Sequence, residues 1–329
     1  MPTASHLRLV AQRIAAVAIA VATLDAAVSV HAGDDIVLTP KRVSEHVWFF
    51  QGESAVASLA NKGFMSNAGF VVTGDGVVAF DALGTPALGR AMIAAIGGVT
   101  DAPIRRVIVS HYHADHIYGL QAFRGVDAEI WAHRKAELYL ASDLAMNRLA
   151  QRRVELSPWV DDKTRLVPPD VWVDGDADFR MGGITFRLIY SGGAHSPEDL
   201  LMFVVEDRVL FAGDLIFAGR VPFVGTADSR GWLDAMGRMI AVAPAVVIPG
   251  HGPASTNVER DLVATRDYVA YLRETMGRAA KEFQPFDDAY AKTDWSRFAA
   301  LPAFAEANRI NAYGTYLRME QEELDGRKD

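Results

Sequence analysis

The sequence predicts an α/β protein, an αβ/βα four-layer sandwich with two sheets face to face, helices outside and a C-terminal helical extension. Three observations carry this. Short runs rich in β-branched and aromatic residues recur in both halves of the chain. In each half the strands come first and the helices after, as expected when two sheets pack together beneath outer helices. From Asn257 onward strand patterning stops and helical spacing takes over.

Each element has a local reason. Val47–Phe50 is a strand. Asn67–Val72 and Val77–Phe80 flank Thr73-Gly74-Asp75-Gly76, a Gly/Asp cluster that reads as a hairpin turn, and Asp81 ends the second strand. Pro86–Ile96 reads as a helix, with Pro in its first turn and Gly97-Gly98 as its stop. Ile104–Val109 is a buried strand, followed by a helix over Ile117–Phe123, a strand over Glu129–Ala132 and helical spacing from His133 to Val154. In the second half Val171–Val173, Gly183–Tyr190, Leu200–Val205 and Arg208–Ala212 read as strands, with Glu206-Asp207 turning the last pair. Trp232–Ala241 is a helix, Ala245–Ile248 a buried strand, Asn257 to about Phe283 helical, and Gln284–Asp329 mostly helical or irregular.

The 329 residues are half apolar and 22% charged with mixed signs, enough for one large core. The net charge of −8, without a Lys/Arg block, excludes nucleic acid and anionic lipid as partners and leaves a small-molecule substrate; oligomeric state is not legible. Cysteine is absent, so neither disulfides nor thiolate metal sites form. His6, Arg8 and Arg13 precede the apolar run Ile14–Leu24, and Val30-His31-Ala32 offers a cleavage site. Residues 1–32 are therefore expected to be a signal peptide directing the chain to the periplasm, with residues 33–256 the main domain and 257–329 the extension. An uncleaved membrane anchor is the alternative, but the apolar run is short for a membrane span of about 20 residues; no second apolar run approaches that length, so no membrane association is expected after cleavage.

The chemistry concentrates in His111-Tyr112-His113-Ala114-Asp115-His116, just past a buried strand. Three of the chain's nine histidines sit in this one segment. His195 and His251 lie in Gly-flanked loops after predicted strands, and Asp214 follows the strand ending at Ala212-Gly213. Imidazole and carboxylate are the ligands zinc takes when thiolates are missing. A polar surface loop is the alternative for the His111–His116 segment alone, and a Ser196/His195 nucleophilic pair is another, but that pair leaves the remaining residues unexplained.

These residues carry a family resemblance. His111–His116 matches the HxHxDH signature of the metallo-β-lactamase superfamily. Gly193-Ala194-His195-Ser196-Pro197 resembles its GHTPG motif, with Glu198 where the last Gly is common. Phe211-Ala212-Gly213-Asp214 resembles its FxGD motif, Pro249-Gly250-His251-Gly252 matches PGHG, and Asp81 fits its early aspartate. The motifs occur in the family's order over about residues 45–255. The resemblance implies two zinc ions per chain, with iron as an alternative. His111, His113 and His195 would bind one, Asp115, His116 and His251 the other, and Asp214 would bridge. Asp115 would also carry the proton of the attacking water. Asp81 would support the first motif from behind.

The implied activity is hydrolysis of a small ester, thioester, lactone or lactam. Members that hydrolyse β-lactams usually have Cys or Ser where this chain has Asp214, which argues against a dedicated β-lactamase. Residues 67–86 also resemble exported SoxH-like or quinoprotein-relay members, though the same stretch is equally a good hairpin followed by a helix start. A β-lactamase-like antibiotic hydrolase, an iron oxidoreductase of the same fold and a periplasmic redox accessory protein are the alternatives. Trp48, Phe49 and Phe50 read as core or cleft. The segment Pro158–Asp174, with Trp159 and Trp172, reads as a site cover or as packed loop. His133 and His46 read as structural or exposed.

Overall fold

Alternation within single strands decides the architecture. In β2 (Val47–Phe50), Val47 and Phe49 turn to one face and Phe50 to the other. β3 (Ala68–Thr73) places Phe70 and Val71 on opposite faces, and β4 (Gly76–Phe80) separates Val77 and Ala79 from Val78 and Phe80. A strand apolar on both faces has a layer above and a layer below. The computed structural model describes residues 36–326, and the expected signal peptide lies outside the described residues.

The first sheet runs in order from β1 (Lys41–Arg42) through β2, β3, β4, β5 (Ile104–Ile108) and β6 (Glu129–His133) to β7 (Val171–Val173). Its first four strands pair antiparallel and the rest parallel. The second sheet contains β8 (Ala177–Met181), β9 (Ile184–Tyr190), β10 (Leu200–Val204), β11 (Val209–Phe217) and β12 (Val246–His251), in the order β12-β11-β10-β9-β8. Only its β11–β12 pair is parallel.

Three apolar clusters fill the spaces between layers. One joins the sheets, with Phe80 stacked on Phe211 at 5.1 Å. A phenyl ring buried this way is worth about 3–5 kcal/mol against alanine. A second cluster lies between the first sheet and its helices, among them α1 (Pro86–Gly97), α2 (Ala114–Ile117), α3 (Leu120–Arg124) and α5 (Asp143–Glu155). A third covers the second sheet with α6 (Ser229–Ala241), α7 (Val258–Lys281), α8 (Phe286–Lys292) and α9 (Phe304–Asp325). The extension thus packs on β11 and α6 rather than standing apart. No helix among the described residues is long and apolar enough to cross a membrane.

Several boundaries differ from the sequence reading. The helix expected from His133 to Val154 is broken: His133 closes β6, and α4 (Ala136–Leu140) stops before Ser142. Ser142 adopts an extended conformation and its side chain accepts from Ala145 N, so it starts α5 afresh. β11 continues past Ala212 to Phe217 through a register shift at Gly213, whose φ of 50° suits glycine. The edge strands β1 and β8 were not anticipated.

Candidate metal centre

Four strand ends deliver the polar side chains. His111 and His113 lie in the loop after β5, Asp115 and His116 in α2, His195 in the β9–β10 loop, Asp214 within β11, and His251 at the end of β12. Asp214 and His251 therefore sit on strand rather than in following loops. β11 and β12 are parallel neighbours, and although their register sets Phe217 opposite His251, Asp214 Oδ1 comes within 3.3 Å of His251 Nε2.

The seven side chains meet in two groups: His111, His113, His195 and Asp214, then Asp115, His116 and His251. His113 Nδ1 is 3.0 Å from His111 Nε2 and 2.8 Å from His195 Nε2. Asp214 Oδ2 lies 3.3 Å from His195 Nε2 and 3.8 Å from His111 Nε2. Its other oxygen, Oδ1, faces the second group, 3.1 Å from His116 Nε2 and 3.3 Å from His251 Nε2. Asp115 Oδ2 completes that group, 3.4 Å from His251 Nε2 and 3.6 Å from His116 Nε2. One carboxylate thus presents one oxygen to each group.

The donor set fits cations better than it fits itself. Ligands at about 2.0–2.1 Å from a tetrahedral zinc lie roughly 3.3 Å from one another, the spacing seen here. His116 Nε2 and Asp214 Oδ1 are buried without a hydrogen-bond partner despite their proximity, because they are not aligned for one. Buried polar atoms without partners are costly, and a cation between them removes the cost.

Charge is distributed in the same sense. Burial, reinforced by neighbouring histidines, pushes His111 well below the ordinary imidazole range; burial also lowers His113, and takes His195 down to about 3. These three are neutral and ready to ligate. Burial also opposes charge on His116 and His251, but the carboxylates of Asp214 and Asp115 outweigh it and raise both. The second group thus favours positive charge, which a divalent cation would supply.

Three of the five histidine rings have their outer nitrogen held from behind. Asp81, at a left-handed φ of 60°, accepts from Ser110 N at 2.7 Å, from Ser110 Oγ at 2.8 Å and from His116 Nδ1 at 2.8 Å. His251 Nδ1 donates to Met65 O at 2.8 Å, and His111 Nδ1 pairs with Ser110 Oγ at 2.9 Å. Each ring therefore turns Nε2 inward. A cavity of about 240 Å³ opens beside the cluster, reached by His113, Asp115, Asp214 and His251.

The sequence model described as the metallo-beta-lactamase superfamily matches residues 61–251. The chain belongs to the metallo-β-lactamase superfamily. Similar solved structures include a metallo-beta-lactamase from Pontibacter korlensis, 19% identical with a TM-score of 0.58, covering 71% of this chain and 99% of that one. Another from Erythrobacter litoralis is 24% identical with a TM-score of 0.52, covering 69% of this chain and 95% of that one. A stereoselective inverting sec-alkylsulfatase from Pseudomonas sp. is 16% identical with a TM-score of 0.67, covering 85% of this chain and 50% of that one. As a member of this superfamily the protein is a metal-dependent hydrolase.

The remaining readings resolve as follows. Ser196 Oγ donates to Asp199 Oδ1 at 2.6 Å, which commits it away from His195. Phe49 and Phe50 are core, and Trp48 stacks on Phe70. None of residues 158–174 lines the cavity. His133 is buried against Tyr190, and His46 pairs with Asp207.

Sequence reasoning missed several residues that brace the ligand-bearing segments of this chain. Asn67 ties the His251 loop down, donating to Pro249 O and Gly252 O while Gly52 N donates to its Oδ1. Ser66 Oγ donates to Asp115 O, and Glu198 accepts from Tyr112 N inside the first motif. Glu198, the departure from the usual Gly, thereby links the GHTPG-like stretch to the HxHxDH motif.

Proposed function

We propose that the protein is an exported dinuclear zinc hydrolase acting on a small ester, thioester, lactone or lactam. The observation that carries this reading is Asp214, one oxygen of which faces each ligand group. His111, His113 and His195 would hold one ion, and Asp115, His116 and His251 the other, with Asp214 between. Two divalent ions would lower the pKa of a shared water toward about 7 and polarise the scissile group.

The chain's own residues do the rest. Asp115 is the more exposed of the two carboxylates among the ligands and lines the cavity, so its carboxylate is placed to take the attacking water's proton and later return it to the leaving group. Asp81 holds His116 in one tautomer through the cycle. Export rests on residues 1–32, which support a periplasmic location, and residues 67–86 support the SoxH-like branch.

Metal analysis of protein purified from its host, with a panel of a thioester, an aryl ester, a lactone, a β-lactam and a secondary alkyl sulfate, tests the reading. About two zinc ions per chain and turnover abolished by chelation are expected. Full activity in excess chelator would overturn it, and iron with a visible absorption band would replace zinc.

A further inference from the structure

We infer that the cavity selects organic anions with a short apolar chain, and that Arg148 is the residue that reads the anionic head. The inference rests on the proposal that this cavity takes the hydrolysed substrate. At about 240 Å³ the cavity falls below the roughly 300–1,000 Å³ of pockets for drug-sized ligands, so its occupant is small.

Two helices contribute to the cavity lining. On α5, Leu144, Arg148 and Arg152 recur at spacings of four and form one stripe along the cavity. From the extension, α9 contributes Glu306, Ala307 and Ile310. Val56 and Phe223 extend the apolar lining.

The basic side chains differ in commitment. Arg152 Nη1 donates to Glu155 Oε2 at 2.8 Å, outside the cavity. Arg220 is 4% exposed and Nη1 donates to Ala55 O at 2.8 Å, so it is built into the wall. Arg148 is half-buried and, among the described residues, makes no hydrogen bond or ion pair. A guanidinium presents five donors and no acceptor. Held in a partly apolar wall and bonded to none of its carboxylates, it lacks the partner that a ligand anion would supply.

The charge balance points the same way. Asp115, Asp214 and Glu306 oppose Arg148, Arg152 and Arg220, so with neutral histidines the lining carries no net charge of its own. Two of those acids belong to the ligand set. Once they are matched by cations, the field at the cavity is positive and favours an anion. The substrate class is therefore an ester whose acyl or alkyl chain ends in a carboxylate, sulfonate or sulfate.

The test is calorimetric, using hexanesulfonate, which is inert to hydrolysis, and neutral hexan-1-ol as probes of the metal-containing protein. Arg148→Met is expected to weaken hexanesulfonate binding about tenfold or more and to leave hexan-1-ol binding as it was, with Arg148→Lys recovering part of the loss. In parallel, the wild-type KM for mono-4-nitrophenyl glutarate is expected to lie below that for 4-nitrophenyl butyrate, the two converging in Arg148→Met. If Arg148→Met binds hexanesulfonate as tightly as wild type while esters are still hydrolysed, the anion site is overturned and the hydrolase reading survives. If Arg148 governs sulfonate binding but no ester on the panel turns over, the anion site stands and the ester reading fails.

Discussion

Replacing Asn311 by alanine would cut the clasp between the extension and the cavity wall. Asn311 is fully buried on α9. Its Oδ1 accepts from Val224 N at 2.8 Å and Gly225 N at 3.2 Å, and its Nδ2 donates to Pro222 O at 2.7 Å and Tyr268 Oη at 2.9 Å. Tyr268 passes the chain on to Asn308, and Asn308 to Tyr290. The residues it holds follow β11 and include Phe223, with Arg220 just before them, and both line the cavity. Four buried bonds at about 0.5–1.5 kcal/mol each give roughly 2–6 kcal/mol, and the two stranded backbone N–H groups push the loss toward the upper half of that range. We expect Asn311→Ala to lower unfolding free energy by about 4–6 kcal/mol in urea titrations. In the same variant KM should rise through the displaced Arg220–Phe223 wall while the metal content holds. A loss below about 1 kcal/mol with unchanged KM would show that α9 is not held by this network and refute the reasoning.

Three further perturbations separate the parts of the site. Asp81→Asn removes the carboxylate that fixes the tautomer of His116, and metal affinity measured by competition with a chelator should fall about 10–100-fold. Gly250→Ala would bring a Cβ to 2.0 Å from Asp214 Oδ1 and 2.8 Å from Gly213 O, so the variant should purify with less metal than wild type; normal metal content would disprove that close approach. Glu322 accepts from Arg273 on α7, a bond that, with the Arg273 and Arg230 charges, outweighs burial and holds its pKa below the ordinary 4.5. The unfolded chain then binds the proton first on acidification, so this contribution is complete above about pH 4.5 and disappears as pH falls through the folded value. Thermal melts of Glu322→Gln should accordingly differ from wild type by about 1 kcal/mol at pH 7, the difference shrinking as the pH is taken below 4.5; a difference independent of pH would point to packing instead.

The legible and illegible parts of the chain differ in what their buried faces are made of. The hairpin of β3 and β4 and the strand β10 could be read because a strand covered on both sides stands out as a near-continuous apolar run. The ligands could be read because each sits in a short motif whose residue types have few other uses. β8 hid because an edge strand alternates half-buried with exposed residues and leaves only a weak signal. The break before α5 was written in Ser142, a capping residue, but the apolar spacing on either side masked it. Strand β11 was cut short because a glycine at positive φ looks like an end from sequence, and only the parallel partner β12 shows that pairing resumes beyond it.

The case of α9 is different in kind. Its buried residues include Ala307, Asn308, Asn311, Ala312 and Thr315, while Ile310 and Leu317 are exposed. Hydrophobic periodicity is inverted there, since small and amide side chains dock the helix against loop backbone and its branched side chains face outward. Gly314 makes the same point, for a Cβ there would lie 1.8 Å from Gly225 O. A helix attached through hydrogen bonds and close backbone approach leaves no apolar stripe to find. It follows that the wall which distinguishes this cavity from a bare sandwich is supplied by the stretch of chain least visible to pattern reading, whereas the reactive centre is supplied by the most visible. Exchanging residues 304–325 between relatives should therefore alter which substrate is accepted before it alters whether metal is bound.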